Sequence, residues 1–177
     1  MPQQRNIAFQ LFPVVVSFTV IVADRLSKLF IQHSMSTLDS ASVFPGWIRI
    51  IHTENPGAAF GMLAEGNVFL RTAVLVGVST AVLLFVAKTL WGPNTAYSAP
   101  LARFALALIL GGAIGNLYDR VVHGTVTDFI EVYHASWSFP AFNIADSAIT
   151  VGAVLLIIEL LRPRRKRIEE QAGFAHK

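Results

Sequence analysis

The stretch NIADSAITVGAVLLIIELLRPRRKR, Asn143 to Arg167, decides how the rest of the chain is read. From Ile144 to Leu161 it is apolar apart from Asp146 near one end and Glu159 near the other. A helix of about 20 such residues crosses a bilayer. Arg162, Arg164, Arg165, Lys166 and Arg167 follow at once, and a basic cluster beside a span marks the cytoplasmic side. At the other end Asn143 is placed to cap the helix, with Asp146 three residues on, in the manner of a capping box.

Working outward, the same medium suits the whole chain. It is 54% hydrophobic and 14% charged, with a mean hydropathy of +0.56, where soluble domains carry about 25% charged residues. Three further apolar stretches approach spanning length: Ile7 to Ala23, extending to about Ile31 if Asp24, Arg25 and Lys28 lie at the membrane edge; Phe69 to about Leu90; and Arg103 to Tyr118. The fold class expected is an all-α membrane protein of four transmembrane helices with a small extracytoplasmic β-sheet or cradle. Residues 1–177 form a single membrane-embedded domain, of which 162–177 is a basic cytoplasmic tail. The first span reads as a retained anchor, because no small-x-small cleavage site sits at a clean polar boundary.

Four spans and a cytoplasmic tail put both termini in the cytoplasm, together with the turn WGPNTAYSAP, Trp91 to Pro100. The connections from about Gln32 to Val68 and about Asp119 to Asn143 then lie outside. Arg25, Lys28, Arg49, Arg71 and Arg120 fall on that outer side against the charge rule, so each needs its own reason. WIRIIHT, Trp47 to Thr53, is rich in aromatic and β-branched residues and leads into the turn-forming NPG. TVTDFIEVY alternates, with Val126, Asp128, Ile130 and Val132 on one side and Thr127, Phe129, Glu131 and Tyr133 on the other.

Asp128 and Asp146 are the residues that carry chemistry. An inward-facing Asp128 is partly desolvated, which raises a carboxyl pKa. Asp146 at a helix start meets the positive end of the dipole, which favours its ionised form. Two carboxyls in unlike surroundings can divide the roles of base and acid, Asp146 the base and Asp128 the acid. Taken singly, Asp146 is also an ordinary cap and Asp128 an ordinary exposed strand residue. Gly112, Asn116 and Arg120 recur every four residues on one helix face, and Gly111 and Gly115 permit close helix approach. Asp24 and Lys28 form an acid-first i,i+4 pair. Gly57, in TENPGAAFG, lies where a backbone can approach a ligand.

The absence of cysteine excludes disulfides and thiolate catalysis. The five histidines show no tight ligand spacing, so no metal or cofactor is expected. The basic tail has no interleaved aromatics, so no nucleic acid is expected. Ser79 lies mid-span without a histidine base in any predicted helix. Two rivals to an enzyme are a small multi-span transporter and a non-catalytic membrane assembly protein. A transporter would place polar groups through the mid-depth of several helices, whereas here they gather at one end.

The blocks D-x-x-x-K (Asp24–Lys28), NPGAAFG (Asn55–Gly61), GGAIGNLYDR (Gly111–Arg120), VTDFI (Val126–Ile130) and FNIADSAI (Phe142–Ile149) occur in this order. Together they make the chain resemble the lipoprotein signal peptidase (signal peptidase II) family, across all four spans and both outer connections. The resemblance implies a cofactor-free aspartyl endopeptidase of the bacterial cytoplasmic (inner) membrane, with its active site near the outer face. Its substrate would be a prolipoprotein carrying a diacylglyceryl cysteine, cut just before that residue, with membrane lipids as surroundings and a monomeric enzyme. By motif, Asp128 and Asp146 would be catalytic. Asn55, Asn116, Arg120 and Asn143 would line the site, with Asp24, Lys28, Gly57 and Gly112 binding substrate or supporting the site. The resemblance also implies an extracytoplasmic cradle of strands and a mobile amphipathic segment, which here would be the outer connections, including WIRIIHTENPG (Trp47–Gly57).

Overall fold

The computed structural model describes residues 7–57, 68–92, 97 and 99–162. Its elements in chain order are α1 (Ile7–Ser34), β1 (Ser40–Phe44), β2 (Ile48–Asn55), α2 (Val68–Trp91), α3 (Pro100–Val122), β3 (Val126–His134), β4 (Trp137–Ser138) and α4 (Ile144–Leu161). The segment after Gly57, most of the turn before Pro100 and the tail beyond Arg162 lie outside the described residues. With them lies the basic cluster from Arg164 onward, whereas Trp47–Gly57, which the expected cradle and mobile segment include, is described and holds β2.

All four helices are long and apolar enough to cross a membrane. α1 shows why the bundle suits lipid. Its buried stripe is Pro13, Ser17, Val20, Asp24, Lys28 and Ile31, spaced by three and four residues. Its outward side carries Phe12, Val15, Phe18, Leu26 and Phe30, all exposed. Polar groups turned inward and apolar groups outward are the reverse of a soluble helix and fit a hydrocarbon solvent.

α3 is the hub, packed against α1, α2 and α4, while α2 packs chiefly on α3. Small residues set these distances. A Cβ on Gly111 would stand 2.7 Å from the Ser17 carbonyl oxygen, and one on Gly112 would stand 2.4 Å from that of Ala145. Backbones this close leave no room for a methyl group. At the other end Arg103 is buried and donates to the carbonyls of Leu90 (2.9 Å) and Phe9 (2.8 Å), joining α1 and α2 to the start of α3.

The sheet is antiparallel throughout, in the order β1-β2-β3-β4. Against β3, β2 pairs Ile50 with Ile130, then slips at a bulge and resumes with Thr53 opposite Asp128 and Asn55 opposite Val126. β3 is buried from Val126 to Phe129, on both faces, before it emerges.

Three expectations are revised. Asp24 and Lys28 do not reach to water at a membrane edge; both are fully buried. They stay inside because each is neutralised there, as described below. α1 continues to Ser34 and α3 runs from Pro100 to Val122, so Gln32 and Asp119 belong to helices and not to connections, and Arg120 lies on the helix face expected of it. Charges paired within the bundle give the helix no cause to end, and Pro100 opens α3 at the first turn, where its missing N–H costs nothing. β1 and β4 are additional strands.

Candidate active site

α4 begins as its sequence predicts. The Asn143 side-chain oxygen accepts from the Asp146 N–H (2.8 Å), and the Asp146 carboxylate accepts from the Asn143 N–H (3.2 Å). This capping box fixes the Asp146 side chain at the mouth of the helix. Since the Asn143 oxygen is thus occupied, its amide NH2 points the other way. It donates to Asp128 Oδ1 at 2.7 Å. One asparagine therefore holds both acids, and that is how two residues from a strand and a helix come together.

Asp128 is grasped from a second side. Asn55 Nδ2 donates to its Oδ2 at 3.0 Å, an arrangement set by the register that puts both residues on one face after the bulge. The Asn55 oxygen accepts from the Gly57 N–H at 2.9 Å, which fixes that amide too. Burial pushes the Asp128 carboxyl up to about 7, and the nearby negative charge of Asp146 adds to this. The Asn55 and Asn143 donors and the Lys28 charge oppose the rise without cancelling it. Asp128 is thus poised to hold a proton near neutrality.

Asp146 Oδ1 accepts from Asn116 Nδ2 at 2.7 Å. Asn116 is itself backed by Lys28, whose ammonium donates to Asn116 Oδ1 (3.1 Å), Asp24 Oδ2 (2.7 Å) and Asp119 Oδ2 (2.6 Å). Asp24 Oδ1 accepts from the Ala145 N–H at 3.0 Å, linking α1 to the first turn of α4. Arg25 caps the other oxygen of Asp119 at 2.6 Å and lies over the Tyr118 ring.

The acids open onto a cavity of about 880 Å³. Asn55, Arg120, Asp128 and Asp146 supply its polar wall, and Phe139, Phe142, Ile149 and Val151 an apolar one. The Arg120 guanidinium feels both acids electrostatically, and its Nε has no partner among the described residues. Such a wall can hold a polar bond to be broken beside an apolar tail. Among the described residues no three His, Asp or Glu side chains converge as metal ligands do.

Of the residues singled out in the sequence, Asp128, Asp146, Asn55, Asn116, Asn143 and Arg120 gather here. Asp24 and Lys28 stand behind them, Gly57 orients Asn55, and Gly112 sets the α3–α4 approach. Four of the five basic residues that ran against the charge rule find their reasons: Arg25 and Lys28 on Asp119, Arg120 beside the acids, and Arg49 in an ion pair with Glu131. Asp119 escaped selection although it lies three residues from Asn116, on the same helical side. Glu54 escaped as well. It faces Thr127 across the sheet and accepts from Thr125 (2.7 Å), Thr127 (2.8 Å) and His52 (3.2 Å). Burial alone would raise its carboxyl, but these donors hold it below the usual range. No local pattern announces such a cross-strand cluster.

Comparison with known proteins converges on one family. A family model described as signal peptidase (SPase) II matches residues 16–162. A lipoprotein signal peptidase from Solibacter usitatus is 41% identical over 151 residues, covering 85% of this chain and 91% of that one. Its counterpart from Pseudomonas aeruginosa is 42% identical over 153 residues, covering 85% and 88%. A solved structure described as a bacterial membrane enzyme at 2.3 Å resolution, by the in meso method, aligns with a TM-score of 0.74. It is 32% identical and covers 85% of this chain and 87% of that one. A second, at 1.9 Å, gives 0.73 and 31% over 85% and 93%.

Proposed function

The chain belongs to the signal peptidase II family, and from that premise we propose that it removes the signal peptide from diacylglyceryl-modified prolipoproteins by aspartyl catalysis. It is a multi-pass membrane peptidase. The observation that carries the mechanism is that Asp128 and Asp146 line one cavity and are held by the same Asn143.

Asp146, ionised and steadied by Asn116 and its own capping box, takes a proton from a water lodged between the acids. Asp128, protonated, donates to the oxygen of the scissile carbonyl. The resulting tetrahedral centre collapses with Asp146 returning its proton to the leaving amine, and Asp128 recovers its own. Arg120, on the polar wall of the cavity, offers its guanidinium donors to the peptide backbone as charge develops. Cleavage falls just before the lipidated cysteine. The signal helix and acyl chains lie along the apolar wall, reached sideways from lipid across the side of α4 where Val151, Val154, Ile157 and Ile158 are exposed.

This scheme belongs at the outer lip of a bacterial inner membrane, with both termini in the cytoplasm, the sheet outside and the enzyme monomeric. Water then reaches the acids from one side and substrate from the other. The test is cleavage of a diacylglyceryl prolipoprotein peptide by purified enzyme in micelles. Asp128→Asn and Asp146→Asn should each lose cleavage while folding persists; wild-type rates in either variant would remove that residue from the mechanism.

A further inference from the structure

An ammonium group has three donors and no acceptor. The atom of Asn116 that faces Lys28 Nζ at 3.1 Å must therefore be oxygen. That leaves the amide NH2 of Asn116 facing Asp146 Oδ1 at 2.7 Å, as a donor to an acid. The other contact to the same oxygen is weaker. Asn143 Nδ2 reaches it at 3.2 Å but is drawn chiefly to Asp128 Oδ1 at 2.7 Å, and it also approaches the Thr127 carbonyl at 3.4 Å. Lys28 itself is held rigidly by Asp24 and Asp119, with no exposed surface.

We infer that Lys28 is a positioning residue for the acid pair: it fixes which end of the Asn116 amide meets Asp146, and Asp119 serves to hold that lysine in place. The inference rests on the reading of Asp128 and Asp146 as the catalytic pair. A turned amide would set a carbonyl oxygen against the Asp146 carboxylate and oppose the ionised form that the base needs. The groups facing Asp146 are Asn116 and Arg120 from α3, Asp128 from β3 and Asn143 from its own cap, with Asp24 and Lys28 of α1 behind them. Of these, Lys28 alone bears on the Asn116 oxygen with a charge.

Two variants test this in the full-length enzyme. Asp24→Asn/Lys28→Met removes the ammonium and one carboxylate together, so the Arg25–Asp119 pair survives and charge stays balanced. Asn116→Asp keeps Lys28 satisfied but presents oxygen to Asp146. In both, kcat on the lipopeptide should fall about 10- to 100-fold with KM little changed. The pH profile of kcat should change with it, which mere loosening of the fold would not produce. A wild-type kcat and pH profile in Asn116→Asp would overturn the inference, as would the same result in a folded double variant. Asp128→Asn and Asp146→Asn run alongside. If they cleave normally, the reading of the pair has failed; if they are inactive while the Lys28 and Asn116 variants behave as wild type, only the orienting role has.

Discussion

Replacing Asp128 by asparagine should change how stability depends on pH, because the wild-type carboxyl loses stabilising influence as pH rises. The carboxyl sits near 7 in the folded protein against an ordinary 3.8. A carboxyl whose pKa is raised by folding favours the folded state while protonated. Its contribution is complete below the unfolded pKa and is lost as pH rises through the folded one. A gap of about 3 units corresponds to a loss of about 4 kcal/mol between about pH 4 and about pH 8, at 1.36 kcal/mol per unit. The asparagine side chain in the variant carries no such charge. It keeps the bond from Asn143, but its amide NH2 then opposes that of Asn55, a fixed cost of about 1–3 kcal/mol. The two stability curves should therefore cross: wild type is the more stable in acid and Asp128→Asn the more stable in alkali. Equilibrium unfolding in mixed micelles, read by tryptophan fluorescence across that range, measures both curves. Parallel curves would refute the claim that Asp128 is buried near an opposing negative charge. Asp146→Asn adds a second arm, since removing that charge should draw the wild-type inflexion towards lower pH.

The same proton should shape activity: in the proposed mechanism Asp128 donates it, so kcat/KM should fall about tenfold per unit as pH rises beyond about 7, and a flat alkaline limb would exclude it as the acid. Gly112→Leu should cost at least about 3 kcal/mol or prevent folding, since its Cβ would meet the Ala145 carbonyl at 2.4 Å; micelle unfolding at neutral pH measures this. Arg103→Met should cost about 2–4 kcal/mol by the same measurement, because the carbonyls of Leu90 and Phe9 lose a charged donor. Glu54→Gln should be slightly less stable than wild type at neutral pH, by less than about 1 kcal/mol given its exposure. Its carboxyl is depressed in the folded state, so that gap should close as pH falls through the folded value, as paired unfolding curves would show.

The helices and the cap of α4 were legible because each rests on local chemistry: apolar run length for the spans, and Asn143 with Asp146 for the helix start. β3 was legible from alternation, and the candidate acids from their setting in it and in the cap. What the sequence hid was pairing at a distance. Nothing local says that Glu54 lies opposite Thr127, or that a bulge after Ile50 puts Asn55 on the same side as Asp128. The full burial of Lys28 was hidden for the same reason. Its position on α1 suggests a rim, and Asp119, distant in sequence, joins Asp24 in making its deep burial tolerable. Lone charges near span ends are drawn to water; charges with partners elsewhere in the chain are not.

That arrangement bears on how the chain is made. The ribosome delivers α1 long before Asn116 and Asp119 exist, and N-terminal segments enter the bilayer first. During that interval Lys28 has Asp24 one turn away, so the nascent helix carries its own counterion. When α3 arrives, Asp119 brings a second negative charge, and Arg25, already waiting on α1, balances it. Asp24 and Lys28 pair on α1 from the start, and Arg25 and Asp119 pair once α3 arrives, so each ion of this cluster ends with a partner inside the bundle.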